Sequence, residues 1–121
     1  MSKHSPHMHS IATLHDANVL FETIGCDPDS FPIMAPKAVF HVIQLDEVML
    51  QDAIIIKQDM LSIGGEVAIP KDAFQLKQET ASIAIMGTHA QHQLLVKKLK
   101  RHYPRIQKIA EELHQILIGT K

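Results

Sequence analysis

The sequence predicts a small α/β domain with a mixed sheet, in the element order β-α-β-α-β-β-α-α. Three observations indicate this class. Residues 38–45 form an extended run of β-branched and other apolar side chains, which is typical of a buried strand. An apolar helix is predicted over 47–63, and Gly64 and Gly65 end it. Residues 66–69 read as a second buried strand, so the three elements predict a βαβ unit with parallel strands.

Length and composition limit the classes of protein that fit. A chain of 121 residues is one domain by length and is large enough to bury a core. The formal net charge of −1 gives no global field that would attract nucleic acid or membrane. No apolar run is long enough to cross a bilayer, and the polar N-terminus is unlike a signal peptide. The only cysteine, Cys26, has no internal disulfide partner, so we expect a cytoplasmic location.

The chain divides into a tail over 1–10 and a single domain over 11–118. The tail carries three histidines and no periodic apolar pattern, and we expect it to be disordered. An alternative is metal capture. With Met1 removed, the terminal amine and the imidazole of His4 could enclose square-planar copper(II) or nickel(II).

The first part of the domain is predicted as strand, helix and loop. Residues 11–14 read as a short strand, and Asp16 as the N-cap of a helix over 17–24 that Gly25 ends. Residues 26–32 contain two prolines and two aspartates, which indicates a turn-rich loop, and residues 33–36 lead into the next strand. Because Pro36 disfavours a helical conformation in the residue before it, we expect Ala35 to be extended.

The second part ends in two helices. A polar connection is predicted over 71–81 and a strand over 82–86. Thr88 reads as the N-cap of a helix over 89–101. A last helix over 104–118 follows the 3.6-residue period closely.

Lys57 is the first candidate functional residue. It lies near the centre of an apolar helical stripe formed by Leu50, Ala53, Ile54, Met60 and Leu61. A lysine buried there could lose its proton and act as a base or form a Schiff base. The alternative is structural, because other faces of this helix are apolar too. Lys57 would then lie at an exposed edge or in an ion pair.

The turn at Gly87 and Thr88 is the second candidate. A strand that runs into a helix presents free backbone N–H groups and a positive dipole end, where anions bind. The alternative is a helix cap without a ligand. With Lys57, Gly64 and Gly65, these two residues complete the predicted ligand-binding set. We predict no catalytic residue, no metal ligand and no cofactor.

Two further patterns are weaker. A basic run straddles a helix C-terminus, where cations are favoured, so it indicates a solvated face rather than a nucleic-acid site. Its members are Lys97, Lys98, Lys100, Arg101, Arg105 and Lys108. His89 and His92 could share a helix face, but a zinc site needs two further ligands that the sequence does not place.

Four segments carry a family resemblance: 24–28, 33–40, 56–68 and 86–88. The most specific is KQDMLSIGG, which begins at Lys57. Together they resemble the N-terminal extension domain of certain bacterial and archaeal dihydropteroate synthases. In those longer proteins the domain precedes the barrel that condenses a pterin with p-aminobenzoate in folate synthesis. That barrel has no counterpart in this sequence.

The resemblance implies a folate-pathway neighbourhood rather than the synthase reaction. The sequence therefore predicts a non-catalytic accessory module, which forms homo-oligomers or docks on a separate dihydropteroate synthase barrel. The alternative is a binding protein or enzyme that uses Lys57 and takes a pterin or another anionic metabolite. A third possibility, nucleic-acid binding through the basic run, ranks last.

Overall fold

An antiparallel sheet in the spatial order β1-β3-β2 organises the fold. The computed structural model describes residues 3–71 and 79–120. The strands are β1 (Phe40–Met49), β2 (Glu66–Ala68) and β3 (Thr80–Thr88). The helices are α1 (Leu14–Ile24), α2 (Phe31–Ala38), α3 (Leu50–Ile63), α4 (His89–Leu99) and α5 (Pro104–Ile118), and a 3-10 turn at Pro28–Ser30 lies between α1 and α2.

The sheet differs from the predicted one. Long β3 lies between β1 and β2 and pairs antiparallel with both, so the predicted mixed sheet is wrong and the βαβ unit is not confirmed. β1 and β2 run in the same direction but do not pair with each other. The physical reason is length: β2 has three residues, whereas β3 has nine and pairs with β1 over almost its whole length. More ladder hydrogen bonds form when the two long strands are neighbours.

A bulge carries β1 beyond its predicted end. The register against β3 shifts between Leu45 and Val48, and Glu47 has a positive φ of 53°. β1 then continues to Met49, and α3 begins at Leu50 rather than near residue 47. The end of α3 is as predicted, because Gly64 closes the helix in the left-handed conformation, with φ of 103°.

The first predicted strand, over 11–14, is wrong. Thr13 is the N-cap of α1, and its hydroxyl accepts a hydrogen bond from the backbone N–H of Asp16 at 3.0 Å. Asp16 therefore lies in the first turn, where its charge favours the helix dipole, and is not the cap. Gly25 ends α1 in the left-handed conformation as predicted.

Helix α2 occupies part of the segment predicted as an extended loop. Pro32 lies in its first turn, where a missing N–H group breaks no helical hydrogen bond. Ala35 is buried in a small cluster with Ala17 and Val39. This tertiary contact, which the local sequence does not reveal, favours the helix despite Pro36 inside it.

The main core lies on one face of the sheet, under α3, α4 and α5. Its fully buried side chains include Ile56, Met60, Ile85, Leu95 and Ile106. The fold therefore has a layer of helices on one face, and the other face carries none of these three helices. The two C-terminal helices are predicted correctly, and Thr88 caps α4 as expected.

Three further expectations concern the termini, the connection and the membrane. Residues 3–10 contain no helix or strand. Most of the predicted connection over 71–81 lies at 72–78, outside the described residues. Within the described ranges, none of the helices combines the length and apolar character that crossing a membrane requires.

Candidate functional site

The face of the sheet that is turned away from α3, α4 and α5 is one candidate site. Along β1, His41, Ile43 and Leu45 point towards the helices, and the residues between them point away. On the outward side, Phe40 is 61% and Val42 is 62% exposed. Their neighbours on this face include Met86 and Ala84 of β3 and Ala68 of β2. Apolar side chains from all three strands therefore contribute to the face that is turned away from the helical layer, together with polar Gln44, Glu66 and Thr88.

The outer edge of β1 borders this face. The carbonyl of Val39 accepts a hydrogen bond from the N–H of His89 at 2.8 Å, next to the pair Phe40 and Thr88. In an antiparallel ladder, hydrogen-bonded and non-hydrogen-bonded pairs alternate. The backbone of His41 and Ile43 therefore bonds to β3, whereas the N–H and C=O groups of Phe40, Val42 and Gln44 point away from the sheet.

The opposite edge, at β2, is closed by side chains. The ammonium of Lys57 donates to the carbonyl oxygen of Val67 at 3.0 Å. The N–H of Val67 donates to the carboxylate of Glu66 at 2.8 Å, and the two charged groups lie 3.5 Å apart. The hydrogen bond from Val67, together with Lys57, lowers the pKa of Glu66. Lys57 thus lies at a partly exposed edge in an ion pair, the structural alternative that the sequence left open.

The predicted glycines lie around Met60. A Cβ atom on Gly65 would come within 2.6 Å of the Met60 methyl carbon, and one on Gly87 within 2.5 Å of it. The absence of side chains at both positions thus makes room for a fully buried Met60. A Cβ atom on Gly64 would lie 3.3 Å from the side-chain amide nitrogen of Gln91.

Thr88 forms a capping box with Gln91. The hydroxyl of Thr88 accepts from the N–H of Gln91 at 3.1 Å, and the Gln91 side chain accepts from the N–H of Thr88 at 2.8 Å. These bonds satisfy N–H groups that a bound anion would otherwise use. Each residue of the predicted ligand-binding set therefore has a structural role: Lys57 pairs with Glu66, the three glycines make room for neighbouring side chains, and Thr88 caps α4. Their ligand-binding role stays a prediction.

A cluster of three histidines, His41, His89 and His92, joins β1 to α4. The prediction from sequence did not group these three residues. His41 Nε2 lies 3.0 Å from His89 Nδ1, and His92 Nε2 donates to the carbonyl oxygen of His41 at 3.1 Å. His89 is 3% and His92 is 1% exposed. Two signals point to this cluster: the spacing of His89 and His92 on one helix face, and the inward position of His41 on its strand.

Burial favours the neutral form of the histidines in this cluster. It lowers the pKa of His41, His89 and His92, and the mutual repulsion of their charged forms adds to the effect for His89 and His92. His92 Nδ1 is buried and has no hydrogen-bond partner among the described residues. A second proton on that ring would therefore have no acceptor. In residues 3–71 and 79–120, no group of three or more His, Cys, Asp or Glu side chains is placed to hold a metal ion.

Asp52 is a second buried group that the sequence analysis missed. It is 1% exposed, and Arg105 donates to it through Nε at 2.5 Å and through Nη2 at 2.8 Å. The hydroxyl of Tyr103 also donates to this carboxylate. The hydrogen bonds from Arg105 are the main reason that the pKa of Asp52 is lowered. Its spacing of four and eight residues from buried Ile56 and Met60 is the signal that could have revealed it.

The basic run does not form one continuous charged surface. Arg105 binds Asp52, and the ammonium of Lys98 donates to the hydroxyl of Ser62 at 2.6 Å. Lys97 and Lys100 instead border a cavity between helices.

Comparison of the chain with protein-family models, curated proteins and solved structures finds no match. The resemblance to the dihydropteroate synthase extension domain therefore stays a prediction.

Proposed function

We propose that this chain is a non-catalytic association module that pairs with a second copy of itself along the free edge of β1. The observation that carries the proposal is the contrast between the two edges of the sheet. Lys57 and Glu66 occupy the outward N–H and C=O groups of β2. The outward groups of Phe40, Val42 and Gln44 have no comparable side-chain partner among the described residues. An open edge of this kind is a template for another strand.

The side chains along β1 suit pairing with an identical strand. Residues 40–45, the part of β1 before its bulge, contain no Asp, Glu, Lys or Arg, the charged residues that commonly protect an edge, and Asp46 and Glu47 follow at the bulge. An antiparallel pairing about Val42 is symmetric, as a two-fold interface requires.

The test is the mass of the particle in solution, measured by sedimentation or light scattering over a range of concentrations. We expect the wild-type chain to give twice its monomer mass of 13.6 kDa. Val42→Pro removes an N–H group that points away from β3, so the internal ladder is kept and the edge is blocked. This variant should be monomeric, with the helical circular dichroism of the wild type.

Two variants distinguish edge pairing from other modes. Val42→Thr keeps the N–H group and a β-branched side chain, so it should remain a dimer. Ala84→Lys places a charge on the central strand, on the face that is turned away from α3, α4 and α5. It should leave edge pairing intact and would disrupt face-to-face stacking. A wild-type chain that is still monomeric at roughly 0.5 mM would have a dimer dissociation constant well above that concentration. That result refutes self-association.

The proposal extends to the folate pathway and to the cytoplasm. A separate dihydropteroate synthase barrel is the alternative partner, supported by the resemblance of the KQDMLSIGG segment. A reducing compartment is supported by the free thiol of Cys26. Mass spectrometry of proteins that co-purify with the tagged chain from its own host tests both points. Recovery of a synthase barrel that Val42→Pro fails to capture would assign the β1 edge to that partner.

A second candidate function is small-ligand binding through Lys57, Gly64, Gly65, Gly87 and Thr88. The observation that favours it is their grouping at one end of α3 and β3. It predicts that a pterin or a phosphorylated ligand raises the melting temperature and that Lys57→Met abolishes the rise. Lys57→Met that leaves the rise unchanged would limit this residue to its contact with Val67 and Glu66.

A further inference from the structure

A cavity of about 530 Å³ lies between the start of α1 and the facing sides of α4 and α5. Apolar side chains form part of its wall: Leu14, Val96, Leu117 and Ile118. Its volume is in the range of pockets that hold small molecules. It lies apart from the β1 edge, and none of the residues predicted from the sequence as ligand-binding lines it.

The polar part of the wall is cationic or neutral. Lys97 lies in the last turn of α4 and Lys100 is its C-cap residue, and none of the described residues that line the cavity is Asp or Glu. Neither ammonium group has an ion pair or hydrogen bond with a described residue. Gln93 and His114 add neutral hydrogen-bonding groups. Charge and hydrogen-bond donors are thus available for an anion.

His89 is the buried polar group in this wall. It is 3% exposed, and its Nδ1 is 3.0 Å from His41 Nε2. The other ring nitrogen, Nε2, has no hydrogen-bond partner in the described part of the chain. When His41 Nε2–H donates to His89 Nδ1, the neutral His89 ring carries its proton on Nε2. The hydrogen bond within the pair then leaves an N–H donor free for a ligand.

We propose that this cavity binds a small amphipathic anion, with a carboxylate or phosphate group near His89 and the two lysines and an apolar body against the helices. The lysines supply charge, and His89 Nε2–H supplies a directed donor. The apolar wall adds contact area for the body of the ligand, which an inorganic anion does not have. This inference does not depend on association through β1, because the cavity and the strand edge share no residue.

The probes separate the charge of the ligand from its apolar body. Isothermal titration at pH 7.5 uses octanoate, octyl phosphate, octanol and inorganic phosphate. We expect octanoate or octyl phosphate to bind, and octanol and inorganic phosphate to bind at least tenfold more weakly. Preference between the two anionic probes identifies the headgroup. Octanol that binds as tightly as both anions, or no binding of either anion at millimolar concentration, overturns the proposal.

Matched variants locate the site. Lys97→Gln with Lys100→Gln removes the two cavity charges and should weaken binding of the anionic probe at least tenfold. Lys98→Gln with Lys108→Gln makes the same charge change away from the cavity and should not. Gln93→Trp, at an exposed position, fills the cavity and should abolish binding without unfolding the chain. Unchanged binding in Gln93→Trp refutes the location.

Two readouts separate this proposal from the association proposal. Binding of the probe should shift the ring ¹⁵N signals of His89. It should also persist in Val42→Pro, whatever the mass of that variant in solution. Binding that leaves the His89 signals unchanged would refute the role of His89.

Discussion

Asp52 ties the start of α3 to the start of α5. Its carboxylate is fully buried, yet it receives hydrogen bonds from Arg105 and Tyr103. A buried carboxylate is costly unless such partners replace water. Arg105 also lies over the Tyr103 ring, with its guanidinium carbon 4.9 Å from the ring centroid, which holds the donors together.

Replacing Asp52 should cost stability. Asp52→Asn keeps the volume of the side chain but loses the charge that Arg105 faces. We expect the free energy of unfolding to fall by about 2 kcal/mol, measured by urea denaturation. Asp59→Asn is the control on the same helix, because its carboxylate accepts from His102 at 2.9 Å and is less buried. Its loss should stay below about 1 kcal/mol, and equal losses would contradict the account.

At the scale of elements, two glycines let α3 approach the ends of β2 and β3. Met60 fills the space that a side chain on Gly65 or Gly87 would need. The KQDMLSIGG segment thus contains both the filling side chain and one of the glycines that accommodate it. Close packing therefore explains why this segment combines a methionine with glycine, whether or not a ligand also binds there.

Gly65→Ala should therefore destabilise the fold. The new Cβ would lie 2.7 Å from the carbonyl oxygen of Met86, a backbone atom that cannot rotate away as a side chain can. We expect a loss of about 2 kcal/mol in the free energy of unfolding. Gly119→Ala is the control, since its nearest neighbours are 3.5 Å and 3.7 Å away and its φ of −83° suits any residue. A thermal or urea transition that is the same for both variants would contradict this packing argument.

At the scale of the whole molecule, the histidine cluster links stability to pH. His41, His89 and His92 have lowered pKa values in the fold, so the unfolded chain binds their protons first as the pH falls. Stability is therefore complete above the ordinary histidine pKa of about 6.5 and declines below it. The lowered pKa of Asp52 acts in a separate window, because its contribution is lost only as the pH falls below about 4.

His92→Gln tests this linkage. A glutamine keeps an N–H donor for the carbonyl of His41 and cannot titrate. Urea denaturation at pH 7.5, 6.5 and 5.5 should show a smaller loss of stability on acidification than in the wild type. Part of the loss should remain, because His41 and His89 still titrate. Parallel curves for the two proteins would exclude His92 as a contributor.

Local sequence determined several features of this protein. The helices α3, α4 and α5, the glycine that ends α3 and the Thr88 cap follow from apolar period and capping chemistry, which act over a few residues. The predicted strand 11–14 failed because the hydroxyl of Thr13 captures the N–H of Asp16 and starts α1 there.

The tertiary structure decided the rest. The position of β3 between β1 and β2 depends on pairing between residues far apart in the chain, which apolar periodicity does not specify. The same pairing puts β1 and β2 at the two edges of the sheet, brings His41 to His89 and places Lys57 at the β2 edge. A residue type sets what a side chain can do, but its partners are set by packing. The candidate sites therefore emerged only when strands and helices were placed together.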